Sequence, residues 1–410
     1  MTNAAEIPAD LVVDFDIYDP SLAFPVDTLQ ERVAELARTG PVVYSAAHGG
    51  HWIVTRYKEI HEVLRDPETF SSHPNNLVTT TAGFGKFLPL ELDPPEHTGY
   101  RLALQPLFSP IRMKALEHDI RAVVNELIDD FASRGRAEFI TEFAHELPTR
   151  VFLALMGWPL EDAPLFTDST DILLTGIPGA GEEESNRARG EAAGQMLSYF
   201  QSMIDQRRQH PGDDITSQII GTEFALHDGK RLLTDEELNR MFFLLLIAGL
   251  HTVQGSLAWS IIHLVHNPDQ RREIIDDPDV IPQAVEEILR IEAAVVPGRR
   301  ATRATDLGGV SIAEGDQLIL MLCSANRDGA EFDEPSELRI DRLPNRHLSF
   351  GAGAHRCLGS HLARLELRLA LEEIHRRIPD YDLVPDDAPV LHASQVRGCT
   401  RLPITFTPAS

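Results

Sequence analysis

"HLSFGAGAHRCLGSHLARLE", residues 347–366, is the stretch on which the reading of this chain turns. Gly351, Gly353 and Gly359 punctuate it, so the backbone can turn through positive φ and pass close to a bound group. Cys357 falls immediately before a helix-patterned run opened by Leu358. Unpaired N–H groups and the helix dipole at such an N-terminus stabilise a thiolate. Two plainer readings compete. A lone cysteine is by default buried and inert. A zinc site could draw on His355, Cys357 and His361, but structural zinc wants a second close ligand pair, and none is present.

A second unusual stretch lies upstream. In "MFFLLLIAGLHTVQGSLAWSIIHLV", residues 241–265, Gly249, His251 and Thr252 interrupt an oily run. Polar side chains inside a buried helix cost stability unless they find partners or do chemistry. Thr234 and Glu237 have capping-box spacing, and Pro268 stops the pattern after Asn267. The predicted helix, residues 235–267, is roughly 50 Å long and apolar almost all round. It must therefore cross the centre of the molecule.

Helical patterns fill residues 95–292 and 358–378, and strand patterns cluster in 40–56, 295–325 and 383–407. The first strand cluster, "PVVYSAAHGGHWIVTRY", reads as a hairpin around a Gly-Gly turn. No repeat or low-complexity linker divides the chain, so residues 1–410 are expected to form one mainly α, α+β domain.

Lys+Arg of 37 against Asp+Glu of 63 gives a net charge of -26. That balance argues against nucleic acid or an anionic membrane as main partner, since both need cationic surface. Cys323, Cys357 and Cys399 lie far apart, make a poor disulfide framework and suit a reducing compartment. The first twenty residues have no apolar core, and the oiliest run, Met241–Leu250, is about half of a bilayer span. The expectation is a soluble, cytoplasmic protein with no membrane partner.

"FGAGAHRCLG", residues 350–359, resembles the heme-binding loop of the cytochromes P-450, whose pattern is F-G-x-G-x-[HR]-x-C-x-G. Phe350, Gly351, Gly353, His355, Cys357 and Gly359 meet every fixed position. "HWIVTRY", "LRDPETFSS", "FLALMGWP", "ANRDGAEFDEP" and "QVRGCTRLPITF" are similar to family segments in the expected order, over residues 40–406. The resemblance implies the cytochrome P-450 fold and heme b, iron protoporphyrin IX, as cofactor. Cys357 would be the axial thiolate, whose electron push favours O–O cleavage. Glu287 and Arg290 of "EEILR", alone a solvated pair of little worth, would join Arg342 in bracing the heme loop. His97 and Arg101, four apart, match the propionate-binding pair, with Arg299 (chosen over Arg300 in family register) and His355 completing the set.

The long helix resembles the family's oxygen-binding helix, [AG]-G-x-[DE]-T, through Ala248, Gly249 and Thr252. Gly249 would leave room beside the heme, and the Thr252 hydroxyl would hydrogen-bond reduced dioxygen or a water. Position 251 departs: the usual acid, which relays protons, is His251 here. An imidazole has two fixed nitrogens and an unperturbed pKa of about 6.5. His251 could replace the acid as relay, merely hold the helix by hydrogen bonds, or mark an enzyme that uses peroxide. Consecutive helical residues lie about 100° apart, so His251 points beside the oxygen site. The relay reading is preferred, with Thr252 and His251 as catalytic residues.

The implied activity is a monooxygenase that inserts one atom of O2 into a hydrophobic small molecule. Electrons would come from a separate ferredoxin and ferredoxin reductase, since no flavin or iron–sulfur module is fused. Arg112, Lys114, Arg356 and Arg364 are either a local docking patch for that acidic carrier or ordinary surface charges. A monomer is expected. The rivals are a peroxide-using heme-thiolate enzyme and a non-catalytic heme-binding sensor or carrier; Thr252 argues against the latter. The resemblance implies a pocket drawn from the 73–90 loop with Phe84, Phe87 and Leu88, from Leu245 and Ala248, from Val295 and Val296, and from the Ser394–Val396 turn. "LLTGIPGAGEEES", residues 173–185, would be a mobile lid.

Overall fold

Thr234 opens the helix around which everything else is arranged. In the computed structural model, which describes residues 7–78, 85–177 and 180–408, both halves of the predicted capping box are made. Thr234 Oγ1 accepts from the Glu237 N–H at 3.3 Å, and the Glu237 carboxylate accepts from the Thr234 N–H at 2.8 Å. The helix runs Asp235–His266, one residue short of the expected end. Asn267 leaves the helix and turns its side-chain amide back onto the His263 carbonyl at 2.8 Å.

Eight helices matter for the site: α1 Glu96–Leu104, α2 Glu117–Ala132, α3 Glu146–Met156, α4 Ala163–Thr175, α5 Glu182–Gln209, α6 Asp235–His266, α7 Ile281–Ile291 and α8 Ser360–Arg377. The first half of α6 contributes Leu238, Met241, Phe242, Leu246 and Leu250 to a core shared with Phe152 of α3, Phe166 of α4 and Phe200 of α5. Its second half contributes Val253, Leu257 and Ile261 to another core, with Ile128 of α2, Ile288 of α7 and Leu369 of α8. The change of core falls between Leu250 and Val253, at His251 and Thr252. Helix α6 is long and apolar enough to cross a membrane, but most of it is buried inside this protein.

The main sheet has six strands: β1 Val12–Val13, β2 Val42–Ser45, β3 His51–Val54, β4 Phe70–Ser71, β5 Gly298–Ala301 and β6 Gln317–Leu320, in the order β1-β2-β3-β6-β5-β4. The predicted hairpin is β2–β3, paired antiparallel with Tyr44 opposite Trp52. Strand β6 adds parallel to β3 and antiparallel to β5, placing Arg299 opposite Leu318. Both β2 and β3 are buried at every residue, which is why they read as apolar runs rather than as an alternation. A third core lies on this sheet. Near the C-terminus β7 Val390–His392 pairs with β8 Gly398–Arg401.

The architecture is mainly α with a smaller β-rich region, as expected. Strands β1 and β4 escaped the sequence because two residues carry no periodicity. Inside the stretch expected to be helical, Arg136–Glu138 is a strand, and Phe224–Leu226 with Gly229–Arg231 form a hairpin. Three-residue strands are too short to break a helical pattern built from their neighbours.

Candidate active site

The cysteine loop is held at both ends. The Cys357 N–H donates to the Phe350 carbonyl at 2.8 Å, and the Gly351 N–H to the Leu348 carbonyl at 2.7 Å. Gly353, at φ +67°, is demanded by packing: a Cβ there would sit 2.4 Å from the Leu64 carbonyl oxygen. Gly351, at φ +66°, and Gly359 differ, since a Cβ at either would meet nothing within 4 Å. Helix α8 begins at Ser360, two residues later than Leu358 suggested, with Gly359 as its cap. The Gly359 N–H therefore reaches the thiol. Cys357 is open to solvent, yet protein surrounds it closely enough that burial raises its thiol pKa against the pull of Gly359, Arg101, Arg356 and Arg364. Both facts suit a side chain on the wall of an internal space. The helix N-terminus alone does not make the thiolate expected from sequence; a bound metal cation would.

The brace behind the loop is buried, not solvated. Glu287 and Arg290 are both 0% exposed. Arg290 donates to both Glu287 oxygens at 2.8 Å, and Arg342 Nε reaches the same two oxygens at 3.1 Å. Arg290 also caps the carbonyls of Asn326, Pro335 and Glu337. Ser349, just before the loop, donates to the Leu289 carbonyl of α7 at 2.6 Å.

Four cationic or donor side chains converge beside Cys357. His97 and His355 place their ring centroids 4.0 Å apart. Arg101 donates to the Arg356 carbonyl at 2.8 Å, and Arg299 is buried and close enough to perturb both histidines. Burial first, and the neighbouring cations second, push His97 down to about 4 and His355 to about 2. Burial lowers Arg299 to about 10, although Asp93 opposes it. That carboxylate is already engaged by Ser71 Oγ at 2.5 Å and the Ser72 N–H at 2.9 Å. His355 Nε2 and Arg101 Nε are buried without a partner. The cluster is a concentration of donors with too little negative charge nearby. A recess of about 330 Å³ lies against it, lined by His97, Arg101, Gln105, Gly353 and Arg356.

Helix α6 leaves a second accessible surface inside the protein. It is buried along most of its length, but near its middle Leu244, Leu245, Ile247, Ala248, Gly249 and Thr252 stay accessible, and Leu245, Ala248, Gly249 and Thr252 among them have the spacing of one helical face. Thr252 Oγ1 donates to the Ala248 carbonyl at 2.9 Å, leaving its lone pairs free to accept. A Cβ on Gly249 would touch only Phe152, at an ordinary 3.8 Å. Leu358, next to Cys357, packs on the same core as Leu246 and Leu250. His251 turns away from this face and is buried, its ring centroid 5.9 Å from that of His145.

Heme, implied by the resemblance, fits these residues. Gly249 and Gly359 lack side chains where neither the chain's own packing nor its backbone conformation requires it, whereas Gly351 is also demanded by its positive φ. The unpartnered donors beside Cys357 would be satisfied by the two carboxylates that heme carries. The zinc alternative fails on geometry: among the described residues no group of three or more His, Cys, Asp or Glu is placed to hold a metal ion.

Other expectations divide. Phe87 is half-buried and stacks on Phe243 with centroids 6.1 Å apart, Leu88 is buried, and Val295 pairs with Val396 across an isolated bridge. Phe84 lies outside the described residues, as do residues 178–179 of the expected lid. The lid's flanks are tied down: Arg189 of α5 donates to the Leu173 carbonyl at 3.2 Å, and the Ile177 N–H to Ser185 Oγ at 3.3 Å. Of the four basic residues, Arg364 is committed to Glu286 at 2.5 Å and to the face of Phe350. Arg112, Lys114 and Arg356 are exposed. Sequence reasoning missed His145, Asp171 and His392 because separate elements carry them with no spacing to link them to His251, and it passed over Gln254 although that residue lies three positions on along the same helix.

Comparison with known proteins agrees with this geometry. The cytochrome P450 family profile matches residues 162–378. The mycinamicin IV hydroxylase/epoxidase of Micromonospora griseorubida is 33% identical over 92% of this chain and 96% of its own length. The crystal structure of cytochrome P450 CYP101C1 superposes with a TM-score of 0.86 at 34% identity, covering 99% of this chain and 100% of that one. CYP109E1 from Bacillus megaterium, in complex with corticosterone, gives 0.82 at 29% identity, covering 92% and 98%. Matches of this extent, on a chain whose cysteine loop keeps every fixed position of the heme-binding pattern, settle its family: it belongs to the cytochromes P450 and is an oxidoreductase of the heme-thiolate monooxygenase class.

Proposed function

We propose that this enzyme inserts one oxygen atom of O2 into an apolar small molecule, with electrons from a separate ferredoxin and its reductase. The reading is carried by two observations together: a Cys357 loop beside unpartnered buried donors, and an Ala248–Gly249–Thr252 stretch left accessible in the middle of a mostly buried helix. Heme b, when bound, supplies the activation of dioxygen, and a cysteine thiolate on its iron favours O–O cleavage. Cys357 would supply that thiolate in this reading. His97, Arg101, Arg299 and His355 hold the propionates, and Phe350, Gly351 and Gly359 give the ring its seat. Ala248 and Gly249 keep the opposite face open. Thr252 accepts a hydrogen bond in the cavity while its own proton rests on the Ala248 carbonyl. His251 passes protons from behind α6.

Phe87, Leu245, Ala248, Val295 and Val396 offer an apolar surface, so the substrate is a hydrophobic molecule. The corticosterone complex of CYP109E1 supports a polycyclic one. Arg112, Lys114 and Arg356, with the exposed Leu102 and Ile111, form the docking face for an acidic ferredoxin.

The test is the reduced carbon monoxide difference spectrum of the heme-loaded chain, followed by NADPH consumption with a ferredoxin and its reductase. A thiolate-type Soret band that disappears in Cys357→Ser, with dioxygen-dependent product, is expected. Product formed only with added peroxide would replace this reading by the peroxide-using one.

A further inference from the structure

Behind α6, on the side away from the accessible face, His251 has the Gln254 side chain and the Thr170 backbone as polar neighbours, and buried ring nitrogens of His145 (Nε2) and His392 (Nδ1), with His251 Nε2 and Gln254 Oε1, make no well-formed hydrogen bond. Buried polar atoms in native proteins are nearly always satisfied, by protein or by ordered water. Such under-satisfied atoms gathered at one histidine suit a place that holds something mobile and polar, and water is the smallest candidate.

The group reaches the surface in one direction. His145, just before α3, places Nδ1 3.6 Å from Asp171 Oδ2 of α4. That is too long for a direct hydrogen bond and close enough for an ion pair or a bridging water. The Asp171 carboxylate is half-exposed. The His145 and His251 rings lie 5.9 Å apart, tilted by 43°. His251 is followed by Thr252, whose hydroxyl opens onto the cavity. We propose that Asp171, His145 and His251 form a proton path from solvent at α4 to the cavity beside Thr252, with imidazole in place of the carboxylate usual at position 251. The proposal rests on the monooxygenase reading for its purpose and on these contacts for its route.

The groups facing His251 decide how it would work. On α4 this is the Thr170 backbone, within hydrogen-bond reach of His251, while the neighbouring Asp171 faces His145 and Asp168. His145 comes from the start of α3, Gln254 from α6, and His392 from β7, with Arg397 beyond it. Burial, then His145 and His392, hold His251 down to about 3, so it stays neutral through the working range. Burial raises the Asp171 carboxyl, with His145 opposing and Asp168 assisting, which makes it a better proton carrier than an ordinary surface aspartate. A neutral imidazole relays without storing charge. His145 or a water bound to it gives a proton to one ring nitrogen of His251, the proton on the other passes to a water that leads round α6 to Thr252, and the reverse tautomer shift resets the ring. His145 and Asp171 touch no substrate, so they are positioning residues acting through His251.

The experiment uses the full heme-loaded chain with nitrogen-15 histidine, in its reduced carbon monoxide form, and the same chain consuming dioxygen with NADPH, a ferredoxin and its reductase, no organic substrate added. In Asp171→Asn, the His145 tautomer balance should change and the change should reach the His251 signals. Dioxygen consumption near neutral pH should fall about tenfold or more with a larger solvent isotope effect, in Asp171→Asn and His145→Gln alike, and Asp171→Glu should restore both. Unmoved His251 signals in Asp171→Asn, or wild-type rate and isotope effect in both variants, would overturn the path. If the wild-type chain consumes no dioxygen, the monooxygenase reading falls, and the path is judged by the nitrogen-15 signals alone: a transmitted change supports it, an absent one overturns it.

Discussion

Two buried polar regions flank the heme site, and they are built on opposite terms. Around Glu287 every acceptor is used: Arg290, Arg342, Asn345 and the Arg339 N–H all donate to one carboxylate. None of the buried atoms of Glu287, Arg290 or Arg342 lacks a partner, although Asn345, at the edge of the knot, keeps an unpartnered Oδ1. Around His251 the burial is similar, but atoms of His145, Gln254, His392 and His251 itself make no well-formed hydrogen bond. A saturated network has one arrangement and acts as a rivet. An unsaturated one costs stability and persists where movement of water or protons is useful. Burial alone does not tell the two apart; satisfaction does.

The comparison can be broken most forcefully on the saturated side. Arg290→Ala strips two charge-assisted bonds from Glu287 and three from backbone carbonyls. It should cost about 3–5 kcal/mol in urea denaturation, because the partner charge stays buried. A loss below 1 kcal/mol would mean the network is decorative.

Next comes acid. The unfolded chain binds a proton on residue 251 near pH 6.5, whereas folded His251 binds it only at about 3. Between those values the unfolded state holds more protons, so stability should fall as pH drops below about 6.5. His51, His97 and His375, each held near 4 by burial, act in the same direction. His251→Leu should lower the pH slope by up to about 1.4 kcal/mol per pH unit, one proton's worth. An unchanged slope would place the protonated form of His251 in the folded state.

At neutral pH the same variant sharpens the contrast. Replacing an unsatisfied buried imidazole by an apolar side chain should leave stability within about 1 kcal/mol of wild type, or raise it, while dioxygen consumption drops. A loss as large as that of Arg290→Ala would make His251 a second rivet. The smallest expected change is in Gly359→Ala. Without heme its melting should shift by no more than about 0.5 kcal/mol, since the new methyl meets nothing. Heme retention through gel filtration should nevertheless fall, because that space is where the cofactor would sit.

Much of this was legible in one dimension because its determinants are local. The loop from Phe350 to Gly359 carries its glycines and cysteine within one turn of chain. The capping box of Thr234 and Glu237 and the helix it opens are set by spacing alone. The hairpin of β2 and β3 followed from a Gly-Gly turn between apolar runs. The clustering of His97, Arg101, Arg299 and His355 was expected only through family register, since three separate elements carry those residues.

What tertiary structure alone decided concerns environment. Sequence leaves Glu287 and Arg290 as a solvated pair; packing against the 326–342 segment makes them a buried knot. Sequence gives His251 an imidazole that titrates near neutrality; three elements closing over it remove the water that would stabilise its charge. It also places Cys357 at a helix start, whereas the fold surrounds the thiol closely enough that burial outweighs the pull of the Gly359 N–H and the nearby arginines. Residue type and spacing set what a side chain can do. Solvent exclusion and the partners brought from distant strands and helices set which of those things it does, because burial changes the energy of a charge far more than neighbours in sequence can.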